Sequence, residues 1–196
     1  MDNWKVIAPI GIALVGTAAT LVYLIKNKDK LEDNTQTPSP KAKKAEIKNV
    51  GTGTYSFVAG YKDAKTVEVD VKYNQDKLSF AVVEDGFLTY SSDSHVAVMY
   101  GEDFNLQLEY ADFYSGDDFA KLKDILAEKY KGFEEVDLPA FKAYKYFDGD
   151  SVCYCLPAGA SYVLINVMPS KDSKETSQTL PSNSDLQFIL NNISIK

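Results

Sequence analysis

Arginine is absent from this chain: all 21 basic residues are lysine. No side chain therefore offers the planar fork that grips phosphate or carboxylate through two parallel hydrogen bonds. That counts against nucleotide, phosphopeptide and phosphosugar sites. Histidine occurs once, at His95, and cysteine twice, at Cys153 and Cys155. A structural zinc site draws four ligands mostly from these two types, so the chain is poorly equipped to build one. The cysteines stand two apart in a strand-like run, which points both thiols to one face; a bridge between such neighbours would be strained, and none is expected. They read instead as small buried hydrophobes. Tryptophan also occurs once, at Trp4, beside an apolar run where an interfacial ring belongs. No Asp-x-Asp-x-Asp-Gly ladder offers calcium a loop.

The apolar run is the most informative segment present. Residues 6–25 (VIAPIGIALVGTAATLVYLI) carry no charge and lie between Lys5 and Lys26. A helix of about twenty residues spans about 30 Å, the thickness of a bilayer's hydrocarbon core. Residues 1–25 are thus expected to be a short tail and a single transmembrane helix. Thr17-Ala18-Ala19 resembles a signal-peptide cleavage site, but residues 21–25 continue apolar beyond it and favour a retained anchor. Within the run, Gly16 with Thr20 and Ala13 with Thr17 form small-residue pairs of the kind that let helices approach. The plainer reading is an apolar anchor that contains small residues.

Residues 26–50 (KNKDKLEDNTQTPSPKAKKAEIKNV) are charged and polar, with Pro38 and Pro40 in a Thr/Pro/Ser patch. They read as a flexible linker spanning ~25–30 Å. Residues 51–196 then form one α+β domain with enough chain for a core. From Gly51 onward there are 13 Lys against 23 Asp plus Glu, a balance of −10; residues 1–50 hold 8 Lys against 5 acids, a balance of +3. An acidic domain repels nucleic acid, so none is expected as a partner. The lysines after the run, Lys26, Lys28 and Lys30, favour a cytoplasmic domain by the positive-inside rule. A short tail, one span and one large following domain is the usual plan of an exported anchored protein, and it tips the reading outward. The side of the membrane stays open at this point.

Within the domain the hydrophobic period assigns elements. Residues 67–73 (VEVDVKY) alternate strictly, apolar on one face and Glu68, Asp70 and Lys72 on the other, which predicts a strand with one wet face. Residues 55–61 precede it as a strand. Residues 74–77 read as a turn, with 78–83 as the returning strand; 87–90, 95–100 and 104–110 follow. The period then changes to that of a helix over 117–131, which aligns Phe119, Leu122, Ile125, Leu126 and Tyr130. Ser115 or Asp117 suits its cap and Gly132 its stop. A three-strand meander is expected from 141–147, through a turn at Asp148-Gly149, to 151–156 and 161–167. Its last two strands are apolar on both faces and should be central. Residues 169–181 form a polar loop, expected to be mobile. Ser184 or Asp185 caps a short helix over 185–192, and 193–195 closes as an edge strand. The fold class is therefore α+β, a mostly antiparallel sheet with one main helix packed on it.

This order of strands, middle helix, meander, polar loop and terminal DLQFILNNISI resembles the PsbP-like α/β sandwich over residues 54–195. The run GDSVCYCLPAGASYVLINV is similar to the paired core strands of that fold. The resemblance implies a binding or assembly module rather than an enzyme. It carries no functional residue across, because no site motif matches.

Site candidates are sparse. Ser92-Asp93-Ser94-His95 offers a base beside hydroxyls, but triad partners meet from distant segments, so His95 reads as an ordinary strand-edge residue. The acidic pairs, such as Glu102-Asp103 and Glu134-Glu135, are what any acidic domain offers; a carboxylate hydrolase would need two of them facing across a cleft. Tyr110, Phe113 and Tyr114 cluster with Asp112 just before the helix. Exposed Tyr is broad, rigid and amphipathic, so these four are the contact candidates, set against a packing role for the rings. No catalytic residue, metal ligand or cofactor is expected. The partners expected are the membrane, through residues 6–25, and a protein or envelope component. The function expected is a membrane-tethered, non-catalytic binding or assembly module; the alternatives are a membrane-anchored hydrolase using carboxylates and an accessory subunit of a membrane complex.

Overall fold

The computed structural model describes residues 47–59, 65–84, 95–113, 118–159 and 161–196. These all fall in one compact unit, residues 44–196. The apolar run 6–25, the linker up to residue 46, the expected strand 87–90, and the capping candidates Ser115 and Asp117 lie outside them. Among the described residues, no helix is long and apolar enough to cross a membrane.

Among the described residues, the fold is mostly antiparallel sheet with two short α-helices. Ten strands among these residues form two sheets, one of three strands in the order β1-β2-β10 and one of seven in the order β3-β4-β5-β9-β8-β7-β6. β1 (Val50–Ala59) and β2 (Lys65–Asn74) pair along their whole length, Val50 opposite Asn74 and Ala59 opposite Lys65. β1 alternates perfectly, with every second residue buried from Gly51 to Ala59. In β2 the inward residues are Val69, Val71 and Tyr73, as the period requires. The outward Asp70 is not simply wet. It accepts hydrogen bonds from Thr54 Oγ1 (2.7 Å) and from Lys196 Nζ. Those bonds, Lys196 first, hold its carboxyl below the usual range.

Residues 75–77 turn, but β3 (Leu78–Val83) does not return along β2. Both sides of β2 are already taken, by β1 and by β10 (Ser194–Ile195), so the chain crosses to the other sheet and β3 pairs with β4 (Val96–Gly101). β5 (Phe104–Asp112) continues that sheet and pairs with β9 (Ser161–Pro169) over nine residues.

Helix α1 (Phe119–Lys129) is capped by Asp118, whose side chain accepts from the Lys121 amide at 3.0 Å. It ends at Tyr130, which turns extended. Gly132 therefore does not stop the helix. It sits in an edge strand that the sequence pattern conceals, β6 (Lys131–Asp137), with φ 63° inside a register shift between Lys131 and Glu134. That left-handed backbone costs an L-residue about 1–2 kcal/mol, and a Cβ there would strike the Phe147 ring. The meander thus has four strands: β6, β7 (Lys142–Asp148), β8 (Ser151–Ala158) and β9. Asp148 pairs with Ser151, leaving Gly149, at φ 58°, in the two-residue turn.

The segment after β9 is tied down rather than loose. Ser170 Oγ donates to Gly101 O at 2.6 Å, and Asn183 Nδ2 reaches Glu175 Oε1 at 3.0 Å and Asp103 Oδ2 at 3.3 Å. A 3-10 turn (Leu180–Ser182) buries Leu180 completely. Asn183, not Ser184 or Asp185, then caps helix α2 (Ser184–Asn191), accepting from the amides of Asp185 and Leu186.

Two apolar layers result. The larger joins Tyr55, Phe57, Val69 and Val71 of the small sheet to Leu106, Leu108, Tyr154 and Ile165 of the large one, with Leu186, Ile189 and Leu190 of α2. The smaller lies on the opposite face of the large sheet, where Phe119, Leu122 and Leu126 of α1 cover Tyr144, Tyr146, Cys153 and Cys155. Ile125 belongs to neither; it is 51% exposed. As its two-faced apolar pattern requires, β8 is central and covered on both sides.

Candidate functional site

Tyr110 and Asp112 lie at the end of β5 and Phe113 directly follows it; Tyr114 lies outside the described residues. Strand alternation sends the rings apart. Tyr110 faces the small sheet and stacks on Phe57, with centroids 4.2 Å apart and planes 7° from parallel. Phe113 leans on Tyr162 at 5.3 Å. Asp112 is exposed and accepts a hydrogen bond from the buried Ser161 hydroxyl, its neighbour across the ladder. So Tyr110 and Phe113 do not form a shared aromatic patch; each ring is half-buried against a neighbour of its own.

The polar chemistry gathers in two places that no short sequence motif marks. The first is a buried line across the centre of the large sheet. Cys153 Sγ donates to Asn166 Oδ1 at 3.1 Å, and Asn166 Nδ2 donates to Glu109 Oε1 at 2.8 Å. All three side chains are buried, Glu109 included at 7% exposure. Burial, then the acidic neighbours Cys155 and Asp148, pushes the Cys153 thiol up; burial pushes Cys155 up to about 12. Both are free thiols, and neither is poised as a nucleophile. Burial likewise raises Tyr146 and takes Tyr162 up to about 12. A signal for this line exists in the strands themselves, since Gln107 and Asn166 are cross-strand neighbours, as are Asn166 and Cys153. On an alternating strand, polar residues of this kind read as a wet face.

The second place is the corner where the chain changes sheets. Asp185, at the start of α2, is buried and accepts from Asn74 Nδ2 at 2.9 Å and Lys77 Nζ at 2.8 Å. Its carboxylate raises Lys77. Glu102, Asp103, Leu78 and Phe104 complete a cavity of about 70 Å³ around the pair. That volume suits water rather than a substrate. A wider hollow of about 480 Å³ opens between the end of α1 and the β7–β8 turn, lined by Lys129, Tyr130, Lys131 and Phe147.

No family model, curated protein or solved structure matches this chain.

The remaining candidates sit apart from one another. His95 Nε2 lies 3.9 Å from Glu84 Oε1, both at the surface, a loose pair. Glu135 pairs with Lys123 at 2.5 Å and Glu134 with Lys145, so these acids tie β6 to α1 and β7. Among the described residues, no three or more His, Cys, Asp or Glu side chains are grouped to hold a metal ion.

Proposed function

We propose that this protein is a membrane-tethered, non-catalytic module that binds a protein or envelope component close to the bilayer. The observation that carries the reading is the uncharged run of residues 6–25 between Lys5 and Lys26. A linker of ~25–30 Å then keeps the domain near the surface, where tethering supplies effective concentrations in the millimolar range. Weak contacts suffice under those conditions. The domain's interior chemistry supports binding over catalysis. Its buried acids are engaged by Asn166, Asn74 and Lys77, and its thiols are held protonated.

Alkaline carbonate extraction of membranes from cells producing the full chain tests the anchor. The chain is expected to stay with the lipid, and Val15→Lys combined with Leu21→Lys is expected to release it. Release of the unmodified chain would overturn the tether. A Thr35→Cys variant, treated with a membrane-impermeant maleimide on intact cells, should be labelled if the domain faces outward. Protection would place it in the cytoplasm.

A further inference from the structure

The four outer strands of the two sheets are not alike. β6 carries Lys131, Glu134, Glu135 and Asp137 and is broken by its bulge, which are the usual defences of a sheet edge. β10 is two residues long. β1 is ten residues long, unbroken in register, and reads VGTGTYSFVA, with neither a charge nor a proline. β3 (LSFAVV), the outer strand of the large sheet, is also uncharged, and its Phe80 lies against Gly53 of β1. Among the described residues, β1 has a ladder partner on one side alone.

We propose that a second copy of this chain pairs with β1, antiparallel and edge to edge, joining two three-stranded sheets into one of six strands. The strand is self-complementary about Thr54, the register that brings its two exposed valines together and sets no ring opposite another. Core-facing residues must stay on one side of the joined sheet, so outward residues must face outward residues. With the two-fold axis at Thr54, Val50 faces Val58 of the second copy, Thr52 faces Ser56, and Thr54 faces itself. The two valines are large hydrophobes left in solvent, Val50 at 43% and Val58 at 56% exposure. On the inner side, Gly53 meets Tyr55 and Gly51 meets Phe57, with Phe80 and Tyr73 of the same chain filling the space over the two glycines. One patch used twice is the geometry of a closed dimer.

Charge favours the same occupant. Two domains with a balance of −10 from Gly51 onward repel each other except where the surface is neutral, and β1 supplies a neutral stripe ten residues long. A backbone ladder of this size is a small interface and binds weakly from dilute solution. The contact does not require the membrane anchor, but an anchor that confines both copies to one surface would populate it at low abundance.

Disulfide trapping in the full chain tests the register. The native thiols are buried, so an introduced cysteine is the one that reacts. Opposed residues in an antiparallel pair lie about 4.5–5.5 Å apart at Cα, within disulfide reach. Mild oxidation of membranes should convert Thr54→Cys to a covalent dimer. Thr52→Cys and Ser56→Cys chains should cross-link when mixed and resist when alone. Lys72→Cys, on the exposed face of β2, should give none. A charge pair separates the contact from any loss of folding. Thr52→Lys with Ser56→Lys places like charges opposite each other and should lower the yield at position 54 by about tenfold. Thr52→Lys with Ser56→Glu restores opposite charges and should restore the yield. No dimer at position 54, equal yield at position 72, or a cross-link to a different polypeptide would each overturn the proposal. If carbonate strips the chain from the membrane yet the position-54 dimer forms in the supernatant, the tether fails and the pairing stands.

Discussion

At the scale of single residues, Asp185 does the most. It receives Asn74 and Lys77 from the other side of the corner, and its own amide is capped by Asn183. The two partners differ in what they lose with it. The Lys77 side chain is 53% exposed and can turn to water, whereas Asn74 is buried. Asp185→Ala is therefore expected to cost about 1–3 kcal/mol, mostly through the orphaned amide. Lys77→Ala should cost at least as much, about 3 kcal/mol, because it strands the buried Asp185 carboxylate without its cation. Urea midpoints of the two variants check this, and a loss under about 1 kcal/mol for Lys77→Ala would show that water reaches the carboxylate. The thiols make a second prediction. Cys153 and Cys155 lie under α1 with raised pKa values, so Ellman's reagent at neutral pH should leave both untouched in the native chain and titrate both in denaturant. Fast reaction of either in the native state would contradict the packing of α1.

At the scale of elements, α1 divides sharply. Leu126 is buried over the Cys153–Tyr146 face, and its neighbour Ile125 stands in solvent. Leu126→Ala should cost about 2–5 kcal/mol and Ile125→Ala within about 0.5 kcal/mol, read from thermal or urea unfolding. Equal costs would mean that the helix is rotated. The sequence pattern assigned Ile125 to the covered stripe because a period of 3.6 cannot tell the centre of a stripe from its margin. β2 and α1 were legible because burial on one side imposes a period on them, and the paired strands β8 and β9 because cover on both faces makes them almost continuously apolar. β6 was not: it lies at an edge, the Gly132 bulge shifts its register, and its charges answer to Lys123 and Lys145 rather than to a core. Caps were ambiguous for a related reason. Asn183, Ser184 and Asp185 all have capping side chains, and the choice fell to Asn183 because Asp185 is engaged by Asn74 and Lys77. At the candidate site, strand geometry separates rings that the sequence sets near each other. Tyr110 and Phe113 are close in sequence but turn to opposite faces, while the polar line from Cys153 to Glu109 draws on three strands and has no short motif.

At the scale of the whole domain, the smaller sheet depends on residues far apart in the chain. β2 holds β1 on one side and β10 on the other, and the corner contact between Asn74 and Asp185 spans 111 residues. A ribosome adding ~5–20 residues per second takes roughly ten seconds to cover that distance. For that interval β1 and β2 have emerged, but α2, which must seal them against the larger sheet, has not yet been made. The neutral strand β1 is thus at its most adhesive before the fold is complete, when neighbouring nascent chains on one message are closest. A cell that overproduces this protein should meet its first misassembled material at the polysome rather than in the finished pool.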